Sequence, residues 1–275
     1  MERTGRLYLD LLKASLLDEL FLDHEMQVHY LFDCLEGRAQ FDARVFSNVT
    51  LRMKADYDAL AAARAEGRPF RSFIPELAHT MIGRRRLDHL ERCLETIERD
   101  GVPGDLLEAG VWRGGACIFM RGFLEAHAVP DRVVWAADSF AGLPVPSLEE
   151  DAGHDYSATQ FPALAVPLEA VRATFARYGL LDARVRFLEG WFKDTLPNAP
   201  VERLALLRVD GDLYESTRDV LTALYDRVSP GGFVVLDDYF AFNPCRHATD
   251  DFRAERDIQV PFERIDWSGV CWRKP

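Results

Sequence analysis

The 275-residue sequence lacks any run of about 18 apolar residues, the length that a membrane-spanning helix requires. Its first residues carry charges throughout and do not form the apolar segment of a signal peptide. The five cysteines, Cys34, Cys93, Cys117, Cys245 and Cys271, are odd in number and form neither a CxxC pair nor a Cys/His zinc spacing. These absences predict a cytoplasmic protein with reduced thiols and no membrane partner. They also argue against a disulfide framework and against cysteine-bound zinc.

The sequence also lacks a basic stripe. Its 33 Lys and Arg residues are outnumbered by 45 Asp and Glu residues, which gives a formal net charge of -12. The short run Arg84, Arg85 and Arg86 lies in a helical pattern, and we interpret it as a solvated helix face or an intersubunit contact. A nucleic-acid-binding protein needs a basic surface, so no nucleic-acid partner is expected. The acidic balance favours a small-molecule partner and is compatible with a cation site.

The hydrophobic pattern changes near residue 100. Residues 1–100 have helical spacing and predict a helical N-terminal region, whereas in residues 101–275 short apolar runs alternate with helical stretches. That alternation predicts an α/β domain with a mainly parallel sheet. Two final strands, near 262–265 and 269–272, have no helix between them and predict an antiparallel hairpin at the C-terminal sheet edge. This is the strand plan of the class I methyltransferase fold, which is Rossmann-like.

The N-terminal region carries more apolar surface than one small sheet needs to cover. We therefore expect a homo-oligomer, most simply a dimer or a dimer of dimers. The apolar stripe at the start of the chain consists of Leu7, Leu9, Leu11, Leu12, Leu16, Leu17, Leu20 and Phe21.

A glycine-containing loop follows the first predicted strand and precedes a helix. Ligands of open α/β sheets bind at the carboxyl ends of the strands, where glycines allow close approach and a helix N-terminus offers free N–H groups. The loop does not match GxGxxG, which argues against NAD. The candidate cofactor contacts in it are Glu108, Gly110, Trp112, Arg113, Gly114 and Gly115.

The next two strand ends supply further candidate cofactor contacts. Asp138 ends the second strand, where a carboxylate can accept hydrogen bonds from ribose hydroxyls; the alternative is a turn-forming aspartate together with Ser139. Gly190, Trp191 and Phe192 follow the third strand. Trp191 either packs against an adenine ring or belongs to the core.

Two aspartate pairs give the strongest chemical signal. Asp210 and Asp212 follow the fourth strand, and Asp237 and Asp238 follow the fifth. Because neighbouring strand ends lie about 5 Å apart, we expect these carboxylates to converge. A bound divalent cation would relieve their repulsion, and oxygen ligands favour Mg²⁺, Mn²⁺ or Ca²⁺ over zinc.

Such a site suits transfer of a methyl group to a hydroxyl. A protonated sugar or phenol hydroxyl is a poor nucleophile, and a metal lowers the pKa of an oxygen that it binds. A carboxylate that is not fully committed to the metal can then remove the proton as a general base.

The ordered motifs resemble the macrocin O-methyltransferase family, which includes mycinamicin and novobiocin sugar methyltransferases. The segments Arg6-Leu-Tyr-Leu-Asp-Leu-Leu-Lys and Thr80-Met-Ile-Gly also resemble that family, so the likeness spans nearly the whole chain. The motifs are Glu108-Ala-Gly-Val-Trp-Arg-Gly-Gly, Asp138-Ser-Phe-Ala-Gly-Leu-Pro, Gly190-Trp-Phe-Lys-Asp-Thr-Leu-Pro, Asp210-Gly-Asp-Leu-Tyr-Glu-Ser-Thr and Asp237-Asp-Tyr.

The resemblance implies S-adenosylmethionine and Mg²⁺ as cofactors and a deoxysugar hydroxyl on a glycosylated natural product, such as an antibiotic, as the acceptor. It implies that Asp210, Asp237 and Asp238 bind the metal and that Asp212 is the base, with Asp210 also close to the cofactor. The implied neighbours of the cofactor's methionine part are Thr80, Met81 and Ile82. The helical N-terminal region is implied to cover the site and to assemble oligomers.

The polar segment 144–161 is interpreted as a lid over the substrate, and its His154 is a second candidate base, ranked below Asp212. Three other functions remain open. A catechol-type methyltransferase would use the same metal chemistry on a phenolic diol. A non-catalytic methyltransferase-fold module and a nicotinamide dehydrogenase are disfavoured by the intact aspartates and by the loop sequence.

Overall fold

The computed structural model describes residues 3–71 and 74–275 of the chain, so residues 1–2 and 72–73 of the predicted N-terminal region lie outside the described residues. Six α-helices occur in the described part of that region, interrupted by a 3₁₀ turn at Glu19–Phe21. Helices α1 to α6 are Arg3–Leu16, Leu22–Leu35, Ala43–Phe46, Val49–Arg52, Lys54–Glu66 and Gly83–Asp100.

The rest of the chain contains a seven-stranded sheet. Its strands β1 to β7 are Asp105–Ala109, Val134–Asp138, Val185–Glu189, Leu204–Val209, Val228–Leu236, Glu263–Arg264 and Val270–Arg273. The strand order is β3-β2-β1-β4-β5-β7-β6. Strands β1 to β5 run parallel to one another, and β7 pairs antiparallel with both β5 and β6. The predicted class I methyltransferase fold with an antiparallel edge hairpin is therefore confirmed.

The remaining helices connect and flank the strands. Helices α7 to α11 are Gly115–Ala126, Leu168–Arg177, Phe192–Thr195, Tyr214–Leu224 and Asn243–Glu255. Four further 3₁₀ turns lie at Glu149–Asp151, Pro162–Leu164, Leu196–Asn198 and Tyr225–Arg227. None of the described helices is long and apolar enough to cross a membrane.

Two hydrophobic layers enclose the sheet because successive strand side chains point to opposite faces. In β1, Leu106 belongs to the layer that includes α7, whereas Leu107 belongs to the layer that includes α10. Helices α1 and α6 contribute Leu9 and Leu90 to the first of these layers. Both helices therefore share a core with the sheet. The division of the chain at residue 100 into two regions stays a prediction.

Candidate functional site

Three aspartates meet where β4 and β5 end. The backbone N–H of Asp210 donates to the carbonyl of Ala109, and that of Asp237 donates to the carbonyl of Val209, so both residues continue the parallel ladders. One carboxylate oxygen from each of Asp210, Asp237 and Asp238 lies within 4.8 Å of the others. The structure thus brings together the three predicted metal ligands.

A buried arginine that the sequence interpretation missed lies beneath this cluster. The Arg208 guanidinium donates hydrogen bonds to the carboxylates of Glu108, Asp210 and Asp237, with a distance of 2.8 Å to Asp210. Arg208 stands within β4, whose other five residues are Leu, Ala and Val. A charge in the middle of a buried strand requires buried partners, and that signal could have identified it.

Arg86 corrects the interpretation of the Arg84 to Arg86 run as a solvated or intersubunit face. Arg84 and Arg85 pair with Glu19 and Glu66, but Arg86 is buried. Its guanidinium pairs with Asp237 and, at 3.0 Å, with Asp266. The reason is geometric, since residues one apart on a helix point about 100° away from each other. Arg86 therefore faces the sheet.

Negative charge still exceeds positive charge around the aspartates. Burial, together with Asp210 and Asp237, raises the pKa of Asp212 to about 8. Burial and the Asp212 carboxylate raise the pKa of Asp238 well above its usual range. The Asp238 Oδ2 atom is buried and has no hydrogen-bond partner among the described residues. An oxygen-only donor set with an unsatisfied buried oxygen fits a hard divalent cation.

A larger cavity of about 470 Å³ opens beside β1, β2 and β3. Asp138 and Ser139 line it at the end of β2, and Trp191 and Phe192 line it after β3. Gly110, Trp112, Met81 and Asp210 complete the predicted cofactor contacts on its wall. Gly110 has a φ of +90°, and a side chain there would collide with the carbonyl oxygen of Asp210.

The Asp138 carboxylate holds the glycine-containing loop in place. It accepts hydrogen bonds from the backbone N–H groups of Val111 at 2.7 Å and Phe140 at 2.8 Å. Burial raises its pKa even though these bonds favour the charged form. The Ser139 hydroxyl donates to the carbonyl of Gly142 at 2.6 Å. Asp138 therefore positions the loop, in addition to any contact with a ribose.

A smaller cavity of about 120 Å³ adjoins the aspartates on the other side. Its walls include Thr80, Met81, Ile82, Glu108, Trp112, Tyr156, Leu164, Asp210, Asp212, Asp237, Asp238 and Trp267. The two cavities share five of their lining residues, namely Met81, Trp112, Leu164, Asp210 and Asp212. The cavities therefore meet at the two aspartates that follow β4.

Five predicted site residues line neither of these two cavities. Arg113 donates to backbone carbonyls, including that of Ala78 at 2.7 Å, and so holds the segment before α6. His154 lies on the lid with its Nδ1 atom 3.2 Å from the carbonyl oxygen of Ala152. The structure thus leaves His154 outside the aspartate cluster, whereas its neighbour Tyr156 reaches the smaller cavity. The five residues are Arg113, Gly114, Gly115, His154 and Gly190.

Comparison with known proteins gives consistent matches. The family model for macrocin-O-methyltransferase (TylF) matches residues 5–274. The chain is 47% identical over 273 residues to a 4'-O-methyltransferase of 8-demethyl-8-(2,3-dimethoxy-alpha-L-rhamnosyl)-tetracenomycin-C from Streptomyces olivaceus, covering 97% of this chain and 92% of that protein. It is 51% identical over 220 residues to the mycinamicin III 3''-O-methyltransferase of Micromonospora griseorubida, covering 78% and 85%. The solved structure of the O-methyltransferase NovP is 43% identical, with a TM-score of 0.80, covering 98% and 99%.

Proposed function

This chain belongs to the macrocin O-methyltransferase family, and from its site we propose that it methylates a deoxysugar hydroxyl on an antibiotic or related natural product, with S-adenosylmethionine as the methyl donor. The observation that carries the proposal is the junction of the two cavities at Asp210 and Asp212. A donor in one cavity and an acceptor in the other would meet there.

The larger cavity is our proposed cofactor site. Its volume, together with the polar side chains of Asp138 and Ser139 on a largely apolar wall, suits a nucleoside with an attached amino acid. Trp191 offers an aromatic surface for the adenine, and Met81 stands near the junction, where the methionine part would lie. This assignment places the reactive end of the donor beside the aspartates.

We assign Asp210, Asp237 and Asp238 as the ligands of a divalent cation, with Mg²⁺ the preferred ion for an all-oxygen set. When they are bound, Mg²⁺ would lower the pKa of the acceptor hydroxyl and S-adenosylmethionine would supply an electrophilic methyl group. Arg208 and Arg86 would hold Asp237 between them, so that this carboxylate cannot rotate away from the cluster.

Asp212 is our proposed general base. It lines both cavities but is not one of the three aspartates whose oxygens cluster within 4.8 Å. Its backbone has a φ of +54°, an unusual conformation for a residue other than glycine, which turns the chain sharply after β4. Burial and the neighbouring aspartates raise its pKa to about 8, so a bound cation would be needed to offset that repulsion and keep the carboxylate charged. In that form it would accept the proton of the acceptor hydroxyl while the lid excludes water.

The relatives support the proposed substrate class. Two of them are described as acting on sugar-bearing antibiotics, at a 4' and a 3'' hydroxyl respectively. Because the smaller cavity has a volume of only about 120 Å³, against about 470 Å³ for the larger one, we infer that it admits the sugar and that the rest of the acceptor contacts the lid.

A direct assay tests this function. Purified enzyme would be incubated with S-adenosylmethionine, Mg²⁺ and a panel that holds a rhamnosylated aromatic polyketide, a deoxysugar-bearing macrolide and catechol. We expect a 14-Da mass increase on a glycosylated acceptor, matched by S-adenosylhomocysteine and abolished by a chelator. Methylation of catechol alone would contradict the sugar assignment and favour a phenolic acceptor. Turnover that survives chelation would contradict the metal.

We also propose that the chain forms a homo-oligomer. Leu7 and Leu11 of α1 are 60% and 57% exposed, and Leu35 and Leu51 are more exposed still. An apolar surface of this kind suits a subunit interface. Light scattering should return a multiple of 31.3 kDa, and a single-chain mass at every concentration would contradict the proposal.

A further inference from the structure

A second group of metal-binding side chains lies away from the aspartates, between α6 and the edge hairpin. His89 and Cys93 are four residues apart on α6, so they share one face of the helix. Glu263 and Cys271 are paired directly across the β6–β7 ladder, so their side chains share one face of the sheet. These donors are far apart along the chain and show no local zinc spacing, but folding brings them together.

The donor atoms lie at the separations expected around a tetrahedral ion. The Cys271 Sγ atom is 3.2 Å from the His89 Nε2 atom, which is 3.7 Å from the Glu263 Oε1 atom. One donor atom each of His89, Glu263 and Cys271 lies within 4.8 Å of the other two. The Cys93 Sγ atom lies beside this group, 3.8 Å from the same Nε2 atom and 3.6 Å from the His89 Nδ1 atom, so its side chain would rotate to complete the set. Tetrahedral zinc with Zn–S bonds of about 2.3 Å and Zn–N bonds of about 2.0 Å would separate its N and S ligands by roughly 3.5 Å.

We propose that His89, Glu263 and Cys271, with Cys93 as the fourth donor, form a structural zinc site. Thiolate and imidazole donors select zinc, in contrast to the oxygen-only aspartate cluster. His89, Cys93 and Cys271 are buried, whereas the Glu263 side chain is 62% exposed and provides a route for the ion. Within residues 3–71 and 74–275, the polar contacts of the His89 ring are with Cys93, Cys271 and Glu263.

A bound ion would stabilise the part of the fold that positions the aspartate cluster. Helix α6 carries Arg86 one turn before His89, and Arg86 pairs with Asp237. Strand β7 pairs with β5, which leads directly into Asp237 and Asp238. An ion that joins α6 to β7 would therefore fix Arg86 relative to the aspartates without taking part in methyl transfer.

Cobalt substitution tests the proposal with the full-length, reduced protein. After treatment with a chelator, Co²⁺ would be titrated and followed by the thiolate-to-cobalt charge-transfer absorption, which carboxylates cannot produce. We expect one equivalent per chain with this absorption, and displacement of the cobalt by Zn²⁺. Absence of the absorption would overturn the proposal, as would mass spectrometry showing a Cys93–Cys271 disulfide in protein purified without reductant.

Variants then locate the ion. Cys271→Ser should reduce the charge-transfer absorption and Cys93→Ser/Cys271→Ser should abolish it, whereas Cys34→Ser, a cysteine outside the group, and Asp237→Asn should retain it. Because Cys271 is buried and its replacement can perturb folding, Glu263→Gln at the exposed edge provides a second test. Loss of a residue that only supports a metal ligand lowers metal affinity roughly 10–100-fold. Glu263→Gln removes a direct donor, so it should weaken cobalt affinity at least that much. Unchanged affinity in Glu263→Gln and unchanged absorption in Cys271→Ser would overturn the assignment.

Discussion

The Asp151 carboxylate accepts a hydrogen bond from the backbone N–H of Tyr214 at 2.6 Å, and its other oxygen accepts one from the N–H of Glu215 at 3.1 Å. Helix α10 begins at Tyr214, and Leu213 before it provides no side-chain cap. A fully buried lid residue therefore caps the helix that follows Asp212. The lid is thereby attached to the same loop that carries the proposed base.

Asp151→Ala should loosen this attachment. The loss of a helix N-cap costs about 1–2 kcal/mol of the free energy of unfolding. Because the lid lines both cavities, we expect the KM for the acceptor to rise more than kcat falls. Urea denaturation and steady-state kinetics measure the two effects. Glu150→Ala, an exposed neighbour, is the matched control, and equal effects of the two substitutions would contradict the capping role.

Arg208→Met should make folding depend on the bound cation. Removal of one partner from a buried ion pair costs about 3–5 kcal/mol because it leaves uncompensated charge. Glu108, Asp210 and Asp237 would lose their shared guanidinium. We expect Mg²⁺ to raise the Tm of this variant more than it raises the Tm of the wild type.

The double variant Glu108→Gln/Arg208→Met provides the control for that effect. Burial raises the pKa of Glu108 to about 7 despite the attraction of Arg208, so this carboxyl tolerates neutralisation. The double variant should recover part of the lost stability. A double variant that is less stable than Arg208→Met alone would contradict the charge-balance explanation.

His79 should make stability fall in mild acid. Burial, followed by the charges of Arg177 and Arg113, lowers the pKa of His79 to about 4, from about 6.5 in an unfolded chain. Between these values the unfolded chain binds a proton that the folded chain does not, so stability is fully present above pH 6.5 and declines as pH falls toward 4. The loss is about 1–3 kcal/mol for this partly exposed ring.

Urea denaturation of wild type and His79→Gln from pH 7 to pH 4 measures this contribution. Glutamine can still bond to the hydroxyl of Tyr178, which lies 2.9 Å from the His79 Nδ1 atom. We expect the free energy of unfolding of the wild type to fall relative to that of His79→Gln as the pH decreases from 7 to 4. Parallel curves would show that His79 does not cause the acid sensitivity.

Some features could be predicted from the sequence because they depend on neighbouring residues or on strand order. The convergence of Asp210, Asp237 and Asp238 follows from strand order, and the β6–β7 hairpin follows from the absence of a helix between two strands. The ion pair between Arg86 and Asp237 joins residues 151 positions apart, and no local pattern marks it. This pair forms only because α6 packs against the sheet with Arg86 facing Asp237, and that orientation depends on tertiary packing.

Asp138 should contribute to ribose binding as well as to the loop. Asp138→Asn keeps the shape of the side chain but removes the charge that Val111 and Phe140 contact. A bond between a carboxylate and a ribose hydroxyl is worth about 1.5–3 kcal/mol, or roughly 10–150-fold in affinity. Calorimetry with S-adenosylhomocysteine and its 2′- and 3′-deoxy analogues separates the roles. If the wild type binds all three compounds equally, the ribose contact does not exist.

Asp237 and Asp212 should give different phenotypes when each is replaced by asparagine. Asp237 belongs to the proposed ligand set, so Asp237→Asn should weaken Mg²⁺ affinity, and added Mg²⁺ should restore part of the activity. Asp212 lines both cavities outside that set, so Asp212→Asn should bind Mg²⁺ and both substrates yet lose about 10²–10⁴-fold in kcat, the usual contribution of a general base.

Calorimetry for Mg²⁺ and S-adenosylhomocysteine, combined with kcat at saturating Mg²⁺, distinguishes the two substitutions. His154→Gln, in the lid, is the control. Because His154 lines neither cavity, this substitution should leave kcat within a few-fold of the wild type. Full rescue of Asp212→Asn by excess Mg²⁺ would make Asp212 a ligand rather than the base. A large kcat loss in His154→Gln would instead require the lid to carry His154 to the acceptor when substrate binds, because His154 lines neither cavity in this structure.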